Sequence, residues 1–169
     1  MRFSALWFAV PLLALAMPAL GQDAPTFTPD DETAMQQCFE AARDIAANGD
    51  DTAGTSQADC IAVASNACQG EPGGSSTPGI TDCNNREASW WDAQLNFYYE
   101  ELKAKLEPDV FDSLKTAQRA WLAYRDATCN FSYELWRDGT IRSVAYSSCM
   151  LEETARRSIA LGEALNLES

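Results

Sequence analysis

Residues 108–135 read PDVFDSLKTAQRAWLAYRDATCNFSYEL, and this stretch decides the fold. Its apolar and aromatic side chains recur at alternating intervals of four and three residues. That period is typical of a long helix whose apolar seam packs against another helix. Pro108 suits the first turn of such a helix, and Gly139 is expected to end it. The seam consists of Val110, Leu114, Ala117, Trp121, Tyr124, Thr128, Phe131 and Leu135.

The preceding segment carries a second apolar stripe, formed by Trp91, Leu95, Tyr98, Leu102 and Leu106. Its spacing again predicts a helix, and Glu107-Pro108 breaks that helix. We expect the two helices to fold back about this break as an antiparallel hairpin. The fold-back pairs Trp91 with Tyr124, Leu95 with Trp121, Tyr98 with Ala117, and Leu102 with Leu114. It also brings Asp92 near Arg125, in an ion pair that we interpret as fixing the register of the helices.

Further helices are predicted around this hairpin. An Ala-rich helix covers residues 31–48, and a shorter one runs from Ser56, with Asp59 as its cap partner, to about Cys68. Residues 69–81 are rich in Gly, Pro and Ser and are predicted to form a loop. A last helix follows Gly139. The predicted fold class is all-α, a small disulfide-stapled antiparallel bundle of about four to five helices.

Six cysteines follow the leader-like N-terminus, which predicts three disulfides in an exported protein. Gly139 lies midway between Cys129 and Cys149, so an antiparallel turn there places the two cysteines opposite each other. Gly49 lies midway between Cys38 and Cys60, although a loop extending to Thr55 would move that centre. Cys68–Cys83 then remains as the pair that closes the Gly/Pro/Ser loop. The connectivity of the two N-terminal disulfides stays open at this point.

Residues 1–21 have the parts of a secretory signal. They contain Arg2, an apolar run from Leu6 to Leu15, and the small residues of Ala19-Leu20-Gly21. We expect cleavage before Gln22 and a soluble periplasmic or secreted product, folded as one domain over residues 22–169. The apolar run is shorter than the roughly 20 residues that a membrane span needs. No cysteine follows the small residues, so a lipid anchor is not predicted.

Acidic residues dominate the chain. It has 25 Asp and Glu against 12 Lys and Arg, a net charge of −13 that becomes −14 when the leader with Arg2 is removed. The excess is greatest in residues 22–59, which carry nine acids and one base, Arg43. This charge repels nucleic acid and anionic lipid, and it attracts cationic partners. Acidity also keeps an exported protein soluble, and the charge alone does not separate these two explanations.

The composition argues against an enzyme. The chain has no histidine, so the commonest general base and the commonest metal ligand are missing. If all cysteines are paired, no thiolate nucleophile and no zinc site remain. Carboxylate pairs such as Glu87 with Asp92 resemble glycosidase groups, but chance pairs are inevitable among so many acids. We therefore predict no catalytic residue, no metal site and no cofactor. The aromatic residues are expected in the core, except Trp90, which lies off its stripe, and Trp136 at the hairpin tip.

The central stretch resembles a known family. Residues 117–129 read AQRAWLAYRDATC, and they stand among further matching positions: Glu87, Trp91-Asp92, Leu95-Asn96, Gly139-Thr140, Cys149 and Thr154 to Arg157. Over residues 80–161 this pattern is similar to the LprI-type lysozyme-inhibitor domain, a small helical family of exported bacterial proteins. Residues 22–67 look like an acidic N-terminal extension to it.

The resemblance implies a protein that binds a cationic lysozyme and blocks its cleft. Opposite charge would steer the two together, and a protruding loop would enter the groove. Two protrusions are predicted, the loop Gly70–Gly79 and the hairpin tip, which offers Arg137 or Arg142 to the cleft carboxylates. The tip residues are Trp136, Arg137, Asp138, Thr140, Arg142 and Ser143. The alternative is a non-catalytic cell-envelope module that binds another protein or a peptidoglycan fragment. The sequence does not predict the oligomeric state.

Overall fold

The computed structural model describes residues 26–48 and 56–167, and the predicted leader and cleavage site lie outside them. Five α-helices and no strand occur in these ranges, which confirms the all-α fold. The helices are α1 (Pro29–Asn48), α2 (Val63–Gln69), α3 (Thr77–Lys105), α4 (Pro108–Leu135) and α5 (Arg142–Leu167). A 3-10 turn, Gln57–Cys60, precedes α2. No described helix is both long and apolar enough to cross a membrane.

The helix predicted from Ser56 to Cys68 is divided in two. The Asp59 carboxylate accepts a hydrogen bond from the Ser56 backbone N–H at 2.6 Å, as expected for a cap partner. These contacts with the Ser56 N–H and hydroxyl also lower the pKa of Asp59. The turn nevertheless stops at Cys60, and Ala62 takes a left-handed conformation with φ of 74°. An L-residue in that conformation cannot continue a right-handed helix, so α2 starts afresh at Val63.

The Gly/Pro/Ser loop is shorter than the predicted 69–81. The hydroxyl oxygen of Ser76 accepts a hydrogen bond from the Gly79 N–H at 3.1 Å and caps α3, which therefore begins at Thr77. Pro78 fits in the first turn, where its missing N–H costs nothing. Gly79 is a helical residue, and a Cβ atom there would overlap the carbonyl oxygen of Gly73. The helix start thus packs directly on the loop.

The predicted α3–α4 hairpin is wrong in its detail, because α5 packs closely along both helices. Leu95 and Leu102 of α3 form a buried cluster with Leu161 of α5, and Trp121 and Leu114 of α4 pack on the edge of that cluster. Two predicted pairs do share one cluster, namely Leu95 with Trp121 and Leu102 with Leu114. The other two pairs do not form.

The pairs Trp91–Tyr124 and Tyr98–Ala117 fail because α3 approaches α5 instead. Trp91 is buried in a second cluster with Met35, Ala64, Leu151 and Ala155, while Tyr124 is 56% exposed. The ring of Tyr98 lies against Gly162 of α5. The α5 face toward the core is rich in small side chains, which allows this close approach. Its buried residues are Ser147, Leu151, Thr154, Ala155, Ser158 and Leu161.

More than half of the α4 seam consequently stays exposed. Leu114, Trp121 and Thr128 are half-buried. The remaining large apolar side chains of the seam are exposed, and they are Val110, Tyr124, Phe131 and Leu135.

The expected Asp92–Arg125 ion pair is also wrong. Arg125 bonds instead to its neighbour Asp126 at 2.9 Å, and its guanidinium lies 5.0 Å from the centre of the Trp121 ring. Asp92 accepts a hydrogen bond from Asn96, one turn along α3, at 3.0 Å. A groove of about 350 Å³ separates α3 from α4 at this level, so each group uses a local partner.

Three disulfides link successive elements, and they are the pairs expected from the sequence. Cys38–Cys60 ties α1 to the 3-10 turn, Cys68–Cys83 ties α2 to α3, and Cys129–Cys149 ties α4 to α5. The Cα atoms of each pair lie 5.4–5.7 Å apart, within the usual range for a disulfide. No described cysteine is free. Such bonding fits an oxidising compartment outside the cytoplasm.

Replacing Cys129 and Cys149 together by alanine should lower the free energy of unfolding by about 3 kcal/mol, because the bond restricts the unfolded chain. The two cysteines are 20 residues apart in sequence. Urea unfolding monitored by circular dichroism measures the change. Asn130→Ala, an exposed change beside Cys129, is the control and should leave the midpoint in place. An unchanged midpoint in the double variant would contradict the prediction.

Candidate functional site

The buried carboxylate of Glu87 positions α2 on α3. Its two oxygens accept hydrogen bonds from the backbone N–H groups of Ala62 at 2.8 Å and Ser65 at 2.7 Å. The indole N–H of Trp91 donates a third at 2.9 Å. Ala62 has no side chain able to cap α2, so a carboxylate from α3 satisfies the free N–H groups at its start. Burial raises the pKa of Glu87, and the N–H donors oppose that rise.

Glu87 therefore has a structural role. It is fully buried, whereas Asp92 is exposed and bonded to Asn96. The two carboxylates considered as a possible glycosidase pair do not face one cleft.

Two more polar residues of the same α3 segment connect the other elements. The Asn84 side chain accepts a hydrogen bond from the Ser65 hydroxyl of α2 at 2.6 Å. It also donates to the hydroxyls of Ser147 and Ser148 on α5 at 3.0 and 2.9 Å. Two residues further along α3, Arg86 forms a 2.9 Å ion pair with the buried Asp31 of α1. This segment of α3 thus fixes α1, α2 and α5 relative to one another.

The hairpin tip holds the residues predicted for binding, and the structure divides them into two groups. Trp136, Arg137, Asp138 and Thr140 are exposed on the turn between α4 and α5. Arg137 takes a left-handed conformation with φ of 50°, which turns the chain after α4. Its guanidinium forms no ion pair within the described part of the chain.

Arg142 and Ser143 are half-buried and hold the tip in shape. The Arg142 guanidinium lies 4.7 Å from the centre of the Tyr133 ring and donates to the Arg137 carbonyl oxygen at 3.1 Å. The Ser143 hydroxyl donates to the carbonyl oxygen of Thr140 at 3.2 Å. Of the two arginines predicted to enter a target cleft, Arg137 is the exposed one, and its guanidinium makes no such contact among the described residues.

The second predicted protrusion, Gly70–Gly79, is a compact turn. Backbone hydrogen bonds join Gly74 to Glu71 and Ser76 to Gly73. Gly74 is buried, and a Cβ atom there would overlap the carbonyl oxygen of Cys68. The loop therefore packs on the end of α2, and only its outer residues, among them Glu71, Pro72 and Ser75, are exposed.

Sequence reasoning missed a cleft between α1 and α3, of about 550 Å³. Trp90 forms one wall, stacked on Phe39 of α1 with ring centres 5.9 Å apart. The indole N–H of Trp90 donates to the Glu32 carboxylate at 3.3 Å. Trp91 and Met35 line its base, and Ile159 of α5 also contributes. The one sequence signal for it was the position of Trp90 off the apolar stripe, because α1 could not be placed on α3 from spacing alone.

Comparison with known proteins identifies the class. Residues 68–161 match the model of the family described as lysozyme inhibitor LprI, so the chain belongs to that family. The matched range contains α3, α4, most of α5 and only the last two residues of α2, while α1 precedes it.

A relative is known from Rhizobium meliloti (strain 1021), described as uncharacterized protein R02472. It is 28% identical over 120 residues, which cover 62% of this chain and 86% of the relative. No solved structure matches.

Glu87→Gln should destabilise the protein by about 2–3 kcal/mol at pH 4, because an amide group would face backbone N–H donors. The pKa of Glu87 in the folded protein lies above its ordinary value of 4.5. The unfolded chain loses this proton more readily, so the free energy of unfolding of the wild type falls as pH rises from that value. The variant has no ionisable group at this position, so its free energy of unfolding lacks this pH dependence. The stability difference between the two proteins should therefore narrow as pH rises from about 4 to about 7.

Urea unfolding across this pH range measures the difference, with Asn85→Ala, an exposed neighbour on α3, as the control. If the difference in free energy of unfolding between the two proteins widens as pH rises, the folded protein favours the ionised form of Glu87 and the prediction is wrong.

Proposed function

We propose that this protein is an exported, non-catalytic inhibitor that binds a cationic lysozyme-type glycosidase and covers its cleft. Membership of the lysozyme inhibitor LprI family carries the proposal, since the match spans the helices that build the core. The net charge of −13 supports it, because an acidic protein is steered toward a basic one. The three disulfides support function outside the cytoplasm.

In this proposal residues 1–21 are a signal peptide cut before Gln22. Residues 22–169 form one domain, with 22–67 as an acidic extension. The mature protein acts in the periplasm or after secretion, without a lipid anchor. Mass measurement of the exported protein tests the cleavage site.

The hairpin tip is the proposed inhibitory element. Trp136 is 50% exposed, and Arg137 next to it is free to pair with a carboxylate of the target. The contact of Arg142 with Tyr133 supports a rigid tip, which loses little conformational entropy on binding. A glycosidase cleft holds two carboxylates that a guanidinium would pair with.

Arg137→Ala should weaken inhibition of a basic lysozyme about tenfold or more, because a charge pair in the covered cleft is lost. A lysis assay with purified mature protein measures this. Arg119→Ala, an exposed arginine in the middle of α4, is the matched control and should inhibit like the wild type. Inhibition should also weaken as salt rises, since charge steers the encounter.

Unchanged inhibition after Arg137→Ala combined with Arg142→Ala would exclude the tip. No inhibition of any lysozyme in a panel would reject the proposed function. Capture of another envelope component in a pull-down would then favour the alternative, a non-catalytic envelope-binding module. Release of products from peptidoglycan by the protein alone would show an enzyme.

A further inference from the structure

We infer that the cleft between α1 and α3 is a binding site for a basic side chain, arginine or lysine, presented by a protein partner. The identification of that partner as a lysozyme rests on the proposed function, but the chemistry of the cleft does not. The residues that carry the inference are Glu32, Phe39, Glu40, Trp90, Gln94 and Tyr98.

The walls of the cleft combine aromatic rings with carboxylates. Phe39 and Glu40 come from α1, and Trp90 and Tyr98 come from α3. Aromatic rings and a carboxylate therefore line the same opening. Aromatic faces attract ammonium and guanidinium groups, and carboxylates form charge-assisted hydrogen bonds with the same groups.

The negative charge of the cleft is not neutralised by its own lining. Of the described residues that line it, none is a lysine or an arginine. Glu32 accepts hydrogen bonds from Trp90 and Gln36, which are neutral donors. Glu40 is exposed and has no hydrogen-bond or ion-pair partner among the residues described. A cation entering the cleft would therefore find two carboxylates that have no cationic partner among the described residues, whereas an anion would be repelled.

The cleft is already ordered before a partner arrives. Trp90 stacks on Phe27 as well as Phe39, with ring centres 5.6 and 5.9 Å apart. The Arg86–Asp31 ion pair and the Cys38–Cys60 disulfide hold α1 in place beside α3. A partner side chain thus meets a formed site and does not have to bear the cost of ordering it.

The cleft joins a family element to a segment outside the family. Trp90, Gln94 and Tyr98 lie within the matched residues 68–161, whereas Glu32, Phe39 and Glu40 on α1 lie before them. The acidic half of the cleft therefore comes from the N-terminal segment. In this inference α1 determines which basic surface the domain accepts.

The test is an NMR titration of the mature protein, following the indole N–H signals of its tryptophans. The probes are the peptide acetyl-Gly-Arg-Gly-amide and its citrulline counterpart, which has nearly the same shape without the charge. The arginine peptide should shift the Trp90 signal with a dissociation constant of about 1 mM or tighter, and the citrulline peptide should bind at least about tenfold more weakly.

Two variants locate the binding. Glu40→Gln should weaken the arginine peptide about tenfold, and Glu40→Lys should abolish its binding by placing a competing cation in the cleft. Both should keep the melting temperature of the wild type, because Glu40 is exposed and makes no described hydrogen bond. Glu134→Gln, an exposed carboxylate on α4, is the matched control and should bind like the wild type.

Equal binding of the arginine and citrulline peptides, or equal binding by wild type and Glu40→Lys, would overturn the inference. Saturable binding of an N-acetylglucosamine trisaccharide that Glu40→Gln leaves unchanged, with no binding of the arginine peptide, would assign the cleft to a sugar and also overturn it. The titration contains no lysozyme, so its result is independent of the lysis assay that tests the proposed function.

Discussion

The structure depends on one buried acidic side chain, the carboxyl group of Glu87. It is fully buried, and it serves as the N-terminal cap of a helix that begins at a left-handed alanine and has no cap of its own. A short helix such as α2 is unstable alone, so this tertiary cap decides whether it forms. The indole N–H of Trp91 donates to the same side chain. The capping of α2 and the placement of this core tryptophan therefore depend on one group. The neighbouring residues Asn84 and Arg86 bond in the same way to α5 and α1, so these helices are held by the same segment of α3.

The second constraint is the size of the side chains on α5. Serine, alanine, threonine and glycine along its core face let α3 approach closely, and the larger side chains of α4 then pack from the side. This arrangement leaves Tyr124, Phe131 and Leu135 exposed along α4. It also accounts for the groove between α3 and α4, and for the local partners that Asp92 and Arg125 adopt.

The two candidate binding surfaces have complementary chemistry. The tip carries an exposed tryptophan and an arginine that has no ion-pair partner in the described part of the chain. The cleft between α1 and α3 carries carboxylates beside aromatic rings. A cationic glycosidase would offer a counterpart to each surface. The carboxylates of its groove would meet the arginine of the tip, and its basic surface would meet the carboxylates of the cleft. The tip belongs to the family domain, and the acidic side of the cleft lies outside it.

The sequence by itself determined the elements with strong local signals. The four-and-three spacing predicted α4, and Glu107-Pro108 marked its junction with α3. The turn midpoint at Gly139 predicted Cys129–Cys149, because chain geometry near a turn is local. The other two disulfides were expected on weaker grounds, Cys38–Cys60 from a midpoint at Gly49 and Cys68–Cys83 as the pair that remained. The family was also readable from residues 117–129.

Tertiary structure alone decided which helices touch. An apolar stripe shows that a face is buried but not which helix covers it, so the pairing of α3 with α5 depended on the fit of small side chains across the core. The cap by Glu87 and the cleft by Trp90 join residues distant in sequence, and their roles exist only after the helices have packed.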